Sequence, residues 1–156
     1  MIVEACKEYK ERYVYTILKG EKEKKVKYEE LIKDIYRVSN YFADMYLQKK
    51  TIAILGKNSY EWIVIYCAIL FSGNSVAPLD KDISREEVDL FMKQLQCEVL
   101  LFDGEKKEIM ENEFPYNAYT FGDIVDRASN QYTDSENVFK RMDAIFLGAS
   151  ACRKAI

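Results

Sequence analysis

Thr51-Ile52-Ala53-Ile54-Leu55-Gly56-Lys57-Asn58-Ser59-Tyr60-Glu61-Trp62 is the stretch on which the fold turns. Residues 51–55 are short and apolar, with Lys49-Lys50 before them and Gly56 after. A run that is apolar on both faces suits an interior parallel strand, because such a strand is covered by helices on either side. Asn58 has a side-chain oxygen suited to capping a helix, and Glu61 stands three residues on in capping-box position. A helix is therefore predicted to start there, with Gly73-Asn74 as its stop. Apolar residues occupy nearly all its faces, which predicts that it is buried.

Working outward, residues 75–79 read as a second strand, with Pro78 expected at its end or at a bulge because proline cannot donate a ladder hydrogen bond. Ser84 and Glu87 form a second capping box ahead of the stripe Val88, Phe91, Met92 and Leu95, and residues 98–102 read as a third strand. Upstream, Tyr28, Leu31, Ile35, Val38, Phe42 and Met45 recur at intervals of three and four, leaving Glu29, Lys33, Asp34 and Arg37 on other faces of an amphipathic helix. Before it, residues 12–19 alternate and are rich in tyrosine and β-branched side chains. With the polar turn Gly20-Glu21-Lys22 and residues 24–27 they read as a β-hairpin.

This order predicts an α/β fold: a Rossmann-like βαβαβ parallel sheet with flanking helices and right-handed crossovers, plus an N-terminal β-hairpin. Beyond Gly104 the pattern predicts a short charged helix over 105–113, a short strand over 118–120 and a helical turn or two over 121–127. A flexible loop over 129–136 and a last strand over 144–147 complete it. One subdomain over 1–156 follows, with a hairpin region 1–27, an α/β core 28–103 and a variable segment 104–156.

The 156 residues are 49% hydrophobic, enough for one domain with a core. Basic and acidic residues number 23 and 26 and are interspersed, which argues against a nucleic-acid partner. The longest uncharged run contains Ser72, Gly73, Asn74, Ser75 and Pro78, so its helical part falls well short of the roughly 20 residues of a membrane span. No secretory signal is visible at the N-terminus, and a cytoplasmic location is expected. Cys6, Cys67, Cys97 and Cys152 are far apart without a C-x-x-C pair, and there is no histidine. Zinc sites, histidine-assisted nucleophiles and disulfide scaffolds are poorly supported. Cys67, on the most apolar helix, reads as a small hydrophobe.

Gly56-Lys57-Asn58 lies between a strand and a helix and invites a Walker A reading. That motif needs glycine where Thr51 stands and a hydroxyl residue where Asn58 stands, so a plain helix start is the stronger reading. Asp80-Lys81-Asp82 offers two carboxylates to a hard cation such as Mg²⁺, but it suits a solvated turn before Ser84 better. Tyr60, Trp62 and Tyr66 read as core or interface aromatics rather than a ligand surface. No G-x-G-x-x-G follows any strand, which removes the usual dinucleotide signature.

Lys27-Tyr28-Glu29-Glu30-Leu31, Gly56-Lys57-Asn58-Ser59-Tyr60-Glu61-Trp62 and Val76-Ala77-Pro78-Leu79-Asp80 stand in an order and spacing that resembles the N-terminal part of the AMP-forming acyl-CoA synthetases. These are adenylate-forming ligases, and Asn58 to Trp62 with Pro78 to Lys81 look most like the long-chain fatty acid branch. The resemblance implies a parent enzyme that uses ATP and Mg²⁺ to convert a carboxylic acid to an acyl-adenylate, then transfers the acyl group to coenzyme A. It also implies a phosphate loop after the last strand, where Gly148, Ser150 and Lys154 match degenerately and the family's threonines and second glycine are missing. The adenine segment, acyl pocket and catalytic lysine of the family have no matching residues here. The chain alone is expected to be non-catalytic and to need no cofactor, its partner being the remainder of the ligase or a self-associated copy. The alternative is a stand-alone, non-catalytic α/β protein-interaction module.

Overall fold

Periodicity and caps along the chain become a defined series of elements in the computed structural model, which describes residues 2–20, 22–106 and 114–133. In chain order they are α1 (Ile2–Glu8), β1 (Tyr13–Lys19), β2 (Lys22–Lys27), α2 (Tyr28–Asp44), β3 (Thr51–Leu55), α3 (Tyr60–Phe71), β4 (Ser75–Leu79), α4 (Arg85–Gln94), β5 (Val99–Phe102), β6 (Asn117–Thr120) and α5 (Phe121–Gln131). Strands β1 and β2 make the antiparallel hairpin, and the other four form a sheet in the order β4-β3-β5-β6 with every pair parallel. The predicted α/β class holds, with β6 added as a fourth parallel strand.

Both sheet faces are buried, which is why β3 and β5 are apolar without alternation. Ile52, Ile54, Val99 and Leu101 face the core shared with α2, α3 and α5. Ala53, Leu55, Leu100 and Phe102 face the opposite core beneath Val88 and Met92 of α4. The amphipathic stripe of α2 buries Leu31, Ile35, Val38 and Phe42. Glu30 Oε2 reaches back to accept from Lys27 N at 2.9 Å, satisfying an amide at the helix start. Helix α4 carries the predicted capping box: Glu87 N donates to Ser84 Oγ at 3.3 Å and Ser84 N donates to Glu87 Oε2 at 2.9 Å.

Asn74 fixes the joint where α3 turns into β4. Its Oδ1 accepts from Lys50 N at 3.0 Å, and its Nδ2 donates to Leu47 O at 2.7 Å and Ser72 Oγ at 2.9 Å. Asn74 is buried, so Asn74→Leu would leave the buried Leu47 carbonyl and the half-buried Lys50 amide without their partner. A loss of about 2 kcal/mol in unfolding free energy is expected, read from the urea midpoint.

Several expectations are corrected. The segment assigned wholly to the hairpin begins with α1, held by Cys6 against Ile32 and Tyr36. The cap of α3 is Ser59 rather than Asn58: Trp62 N donates to Ser59 Oγ at 3.1 Å. Helix α3 is not buried all round; Trp62, Ile63, Tyr66 and Cys67 are half-buried and Leu70 is exposed, because α2, α5 and the sheet cover only part of its girth. Pro78 pairs in register with Ile54 without a bulge, which β4 tolerates as the outer strand. Residues 129–131 belong to α5 instead of a loop, since Tyr132 O accepts from Arg37 Nε at 3.0 Å and Tyr132 N donates to Ala128 O at 3.0 Å. Residues 104–106 form a single 3₁₀ turn, while most of the predicted 105–113 helix and the 144–147 strand lie outside the described residues.

Candidate functional site: the carboxyl rim of the sheet

Because all four strands run parallel, their carboxyl ends meet at one rim made by Gly56, Asp80, Asp103 and Phe121. The chain leaves β3 for β4 on one side and returns for β5 on the other, so the topological switch point lies between β3 and β5. Open α/β sheets place ligands just outside such a point.

Here that point is closed. Asp103 N donates to Leu55 O at 2.9 Å, extending the β3–β5 contact past the strand ends. A Cβ on Gly56 would stand 2.6 Å from Asp103 Cβ and 3.0 Å from Phe121 Cε2. The open space lies to either side. One recess of about 590 Å³ lies under the hairpin and includes Tyr15, Asn58, Asp103, Gly104 and Gly122. The other, about 430 Å³, is lined by Lys57, Asn58, Trp62, Pro78 and Lys81.

The rim charges are mutually engaged. Lys57 Nζ pairs with Glu105, and the hydrogen bond, then the charge attraction, raises the lysine pKa and lowers that of the carboxylate. Lys57 is thus turned across to the β5 loop, as a plain helix start allows and a Walker lysine would not. Asp82 N donates to Asp80 Oδ1 at 2.8 Å, and Lys81 Nζ pairs with Asp82 Oδ2. The Lys81 hydrogen bond holds the Asp82 carboxyl below its ordinary range. Asp80-Lys81-Asp82 is therefore the turn that precedes Ser84. Among the described residues no group of three or more His, Cys, Asp or Glu converges as a metal site.

Beneath the rim a polar chain ties the helices together. Tyr60 Oη donates to Asp34 Oδ2 at 2.8 Å, Asp34 Oδ1 accepts from Arg37 Nη1 at 3.1 Å, and Arg37 Nε reaches Tyr132 O. Burial, then the Asp34 charge, pushes the Tyr60 phenol far above its usual range, so it stays a proton donor. This anchors α3 to α2 and to the end of α5. Trp62 and Tyr66 stack with centroids 5.1 Å apart on the less covered face of α3. Burial also raises the Cys67 thiol, in keeping with a small hydrophobe.

Gly148, Ser150 and Lys154 lie outside the described residues. ATP phosphates need a cradle of open backbone amides. The glycine at the switch point does not provide one, because its free side is filled by Asp103 and Phe121. The Gly56–Asp103 approach and the Lys57–Glu105 pair escaped sequence reasoning. Their signal was a glycine and an aspartate each directly after an apolar strand.

A four-stranded parallel sheet with a hairpin ahead of it, its helices on both faces and its loops gathered at one rim, defines the class as an open α/β subdomain. The sequence model of the AMP-binding enzyme family matches residues 2–143, and the chain belongs to that family. No curated protein matches the sequence. Among solved structures, Klebsiella oxytoca NpsA in complex with 3-hydroxyanthranilyl-AMSN is similar with a TM-score of 0.69 and 14% identity, over 83% of this chain and 25% of that one. The fatty acid AMP ligase from Legionella pneumophila gives a TM-score of 0.67 and 14% identity over 83% and 24%. Apo MatB from Rhodopseudomonas palustris gives 0.57 and 22% over 65% and 23%. At these identities the likeness is one of fold, and the chain spans about a quarter of the length of these relatives. No helix among the described residues is long and apolar enough to cross a membrane.

Proposed function

We propose that this chain is the N-terminal scaffold of a cytoplasmic adenylate-forming ligase of the long-chain fatty acid CoA ligase branch. The observation that carries the reading is the family match over residues 2–143 on a chain spanning about a quarter of its solved relatives. The sequence motifs 58–62 and 78–81 supply the choice of branch. In the complete enzyme a carboxylate oxygen attacks the α-phosphorus of ATP, giving acyl-adenylate and releasing pyrophosphate. The thiol of coenzyme A then displaces AMP to give the acyl thioester.

Residues of this chain act as one wall of that enzyme. The closed β3–β5 junction fixes the rim loops, and phosphate contacts would fall to Gly148, Ser150 and Lys154. On this reading the acyl pocket and the adenine site belong to the rest of the enzyme, and the chain alone is expected not to turn over substrate. Pyrophosphate–ATP exchange tests both halves of the proposal. The 156-residue chain is expected to show no exchange above blank with any acid. The polypeptide encoded by the whole reading frame is expected to show exchange that is strongest with long-chain fatty acids. Clear exchange by the short chain would overturn the scaffold role, and a preference for aryl or short acids would overturn the branch.

A further inference from the structure

The turn that follows α1 is tied by its backbone to the start of α2: Tyr28 N donates to Arg12 O at 3.0 Å and Glu29 N to Lys10 O at 3.2 Å. These bonds hold α1 against the flank of α2 and leave a recess of about 240 Å³ between them. Its floor is apolar, made by Cys6, Ile32 and Tyr36, which are 2%, 6% and 5% exposed. Its rim is charged, with Lys7 and Lys10 on the α1 side and Glu29 and Lys33 on α2. None of these residues lines either recess at the carboxyl rim of the sheet.

Three lysines against one glutamate give this recess the opposite sign to the chain as a whole, whose net charge is −3. Lys33 Nζ is engaged by Glu29 in an i,i+4 pair. Lys7 and Lys10 are exposed, and among the described residues neither makes an ion pair. The nearby Glu11 carboxyl is already taken by Lys27; that hydrogen bond and charge hold it below its ordinary range, and Lys10 and Lys33 add to the effect. Ammoniums from both walls therefore act on one region. Lysine stems continue an apolar surface up to the charged head, so the recess grades from apolar floor to cationic rim. The first amides of α2 are taken up by Arg12 O and Lys10 O, which leaves the ammoniums as the groups that can hold an anion. Glu29 in the rim limits that anion to a single charge, because a second would meet the carboxylate.

We infer that the recess between α1 and α2 binds an amphiphilic monocarboxylate, its head on Lys7 and Lys10 and its tail on Cys6, Ile32 and Tyr36. At roughly 30 Å³ for each water-sized group, the volume admits about eight non-hydrogen atoms, which is a carboxylate with a tail of about five carbons. Such a ligand joins α1 to α2, and α1 is a helix of 7 residues whose hold on α2 is the burial of Cys6. Binding therefore stabilises the fold. The site is separate from the carboxyl rim, so it stands whichever acid the parent enzyme activates.

Titration of the ¹⁵N-labelled 156-residue chain with sodium hexanoate, followed by amide spectra, tests this. Saturable shifts are expected at Cys6, Lys7, Ile32 and Tyr36 with a dissociation constant on the order of 1 mM, together with a rise in melting temperature. Each methylene added between butanoate and hexanoate should tighten binding about three- to fourfold, and octanoate should gain little more once the recess is full. Lys7→Glu combined with Lys10→Glu should weaken hexanoate at least about tenfold with an unchanged circular dichroism spectrum, since both side chains are exposed. Lys10→Gln, which removes one charge without reversing it, should weaken it about threefold. Hexylammonium keeps the tail and reverses the head, and inorganic phosphate keeps a negative charge and lacks the tail, so each should bind at least about tenfold more weakly. Equal binding of either probe, no hexanoate binding up to saturation, shifts confined to other residues, or hexanoate binding indifferent to the lysine variants would overturn the inference. Retention on phosphatidylglycerol vesicles without a response to hexanoate would also overturn it and assign these lysines to a lipid surface.

Discussion

Phe42→Ala is expected to remove about 3–5 kcal/mol from the unfolding free energy, the largest loss of any single replacement considered for this chain. Phe42 lies in the last third of α2 with no exposed surface, in the core that joins α2, α3 and the sheet. Truncation loses the transfer energy of the ring and leaves a cavity that β3 and β5, fixed by ladder bonds on both sides, cannot close. A domain of this size has a total stability of roughly 5–15 kcal/mol, so the change consumes a large part of it. Helix propensity acts in the opposite sense, since alanine favours helix over phenylalanine by a few tenths of a kcal/mol. The loss is therefore attributable to packing. Phe42→Leu, which keeps most of the volume, should cost about 1–1.5 kcal/mol by the same urea titration. Equal losses for the two variants would mean that the cavity argument fails here.

What the sequence made legible follows the reach of the forces involved. Strands β3 and β5, the stripe of α2 and the Ser84–Glu87 box are written in local pattern, because an interior strand must be apolar on both faces and a helix start must satisfy its own amides. The places that misled are those where a distant contact decides. One exception is local: Asn58 and Ser59 are both good caps, and pattern alone does not say which of the two adjacent side chains meets the Trp62 amide, here Ser59. Ser129 and Asn130 are weak helix formers, yet α5 continues through them because Arg37, far away in sequence, holds the carbonyl of Tyr132. Helix α1 is only 7 residues long and depends on burying Cys6 against α2. The all-apolar α3 gave no sign of which side would lack a neighbour, since a hydrophobic pattern records the demand for burial and not its supply. At the rim, individual residues were visible but their pairing was not, as the Lys57–Glu105 contact joins loops from different strands.

Gly56→Ala is the sharpest test of how that rim is built, with an expected loss of roughly 2–4 kcal/mol. Gly56 has φ +155°, a conformation side chains rarely adopt, and its missing Cβ would meet Asp103 Cβ at 2.6 Å. The opposing atom is attached directly to the backbone and cannot swing away, and that backbone is itself pinned by the bond from Asp103 N to Leu55 O. Relief would require β3 and β5 to part at their carboxyl ends, and Phe121, 4% exposed, to shift as well. Asp103→Gly removes the obstructing Cβ at the cost of the 3.1 Å bond in which Asp103 Oδ1 accepts from Glu105 N, a loss of about 1 kcal/mol. In the double variant the φ strain, the Phe121 contact and the 3.2 Å approach to the backbone nitrogen of residue 103 remain while the 2.6 Å clash is gone, so the combined loss should fall short of the sum of the single losses by at least about 1 kcal/mol. Strict additivity in urea midpoints would mean that the two chain segments yield independently, and that the switch point is an adaptable crevice. Non-additivity would identify Gly56 and Asp103 as one structural unit that closes the crevice and leaves any ligand of the parent enzyme to the recesses beside it.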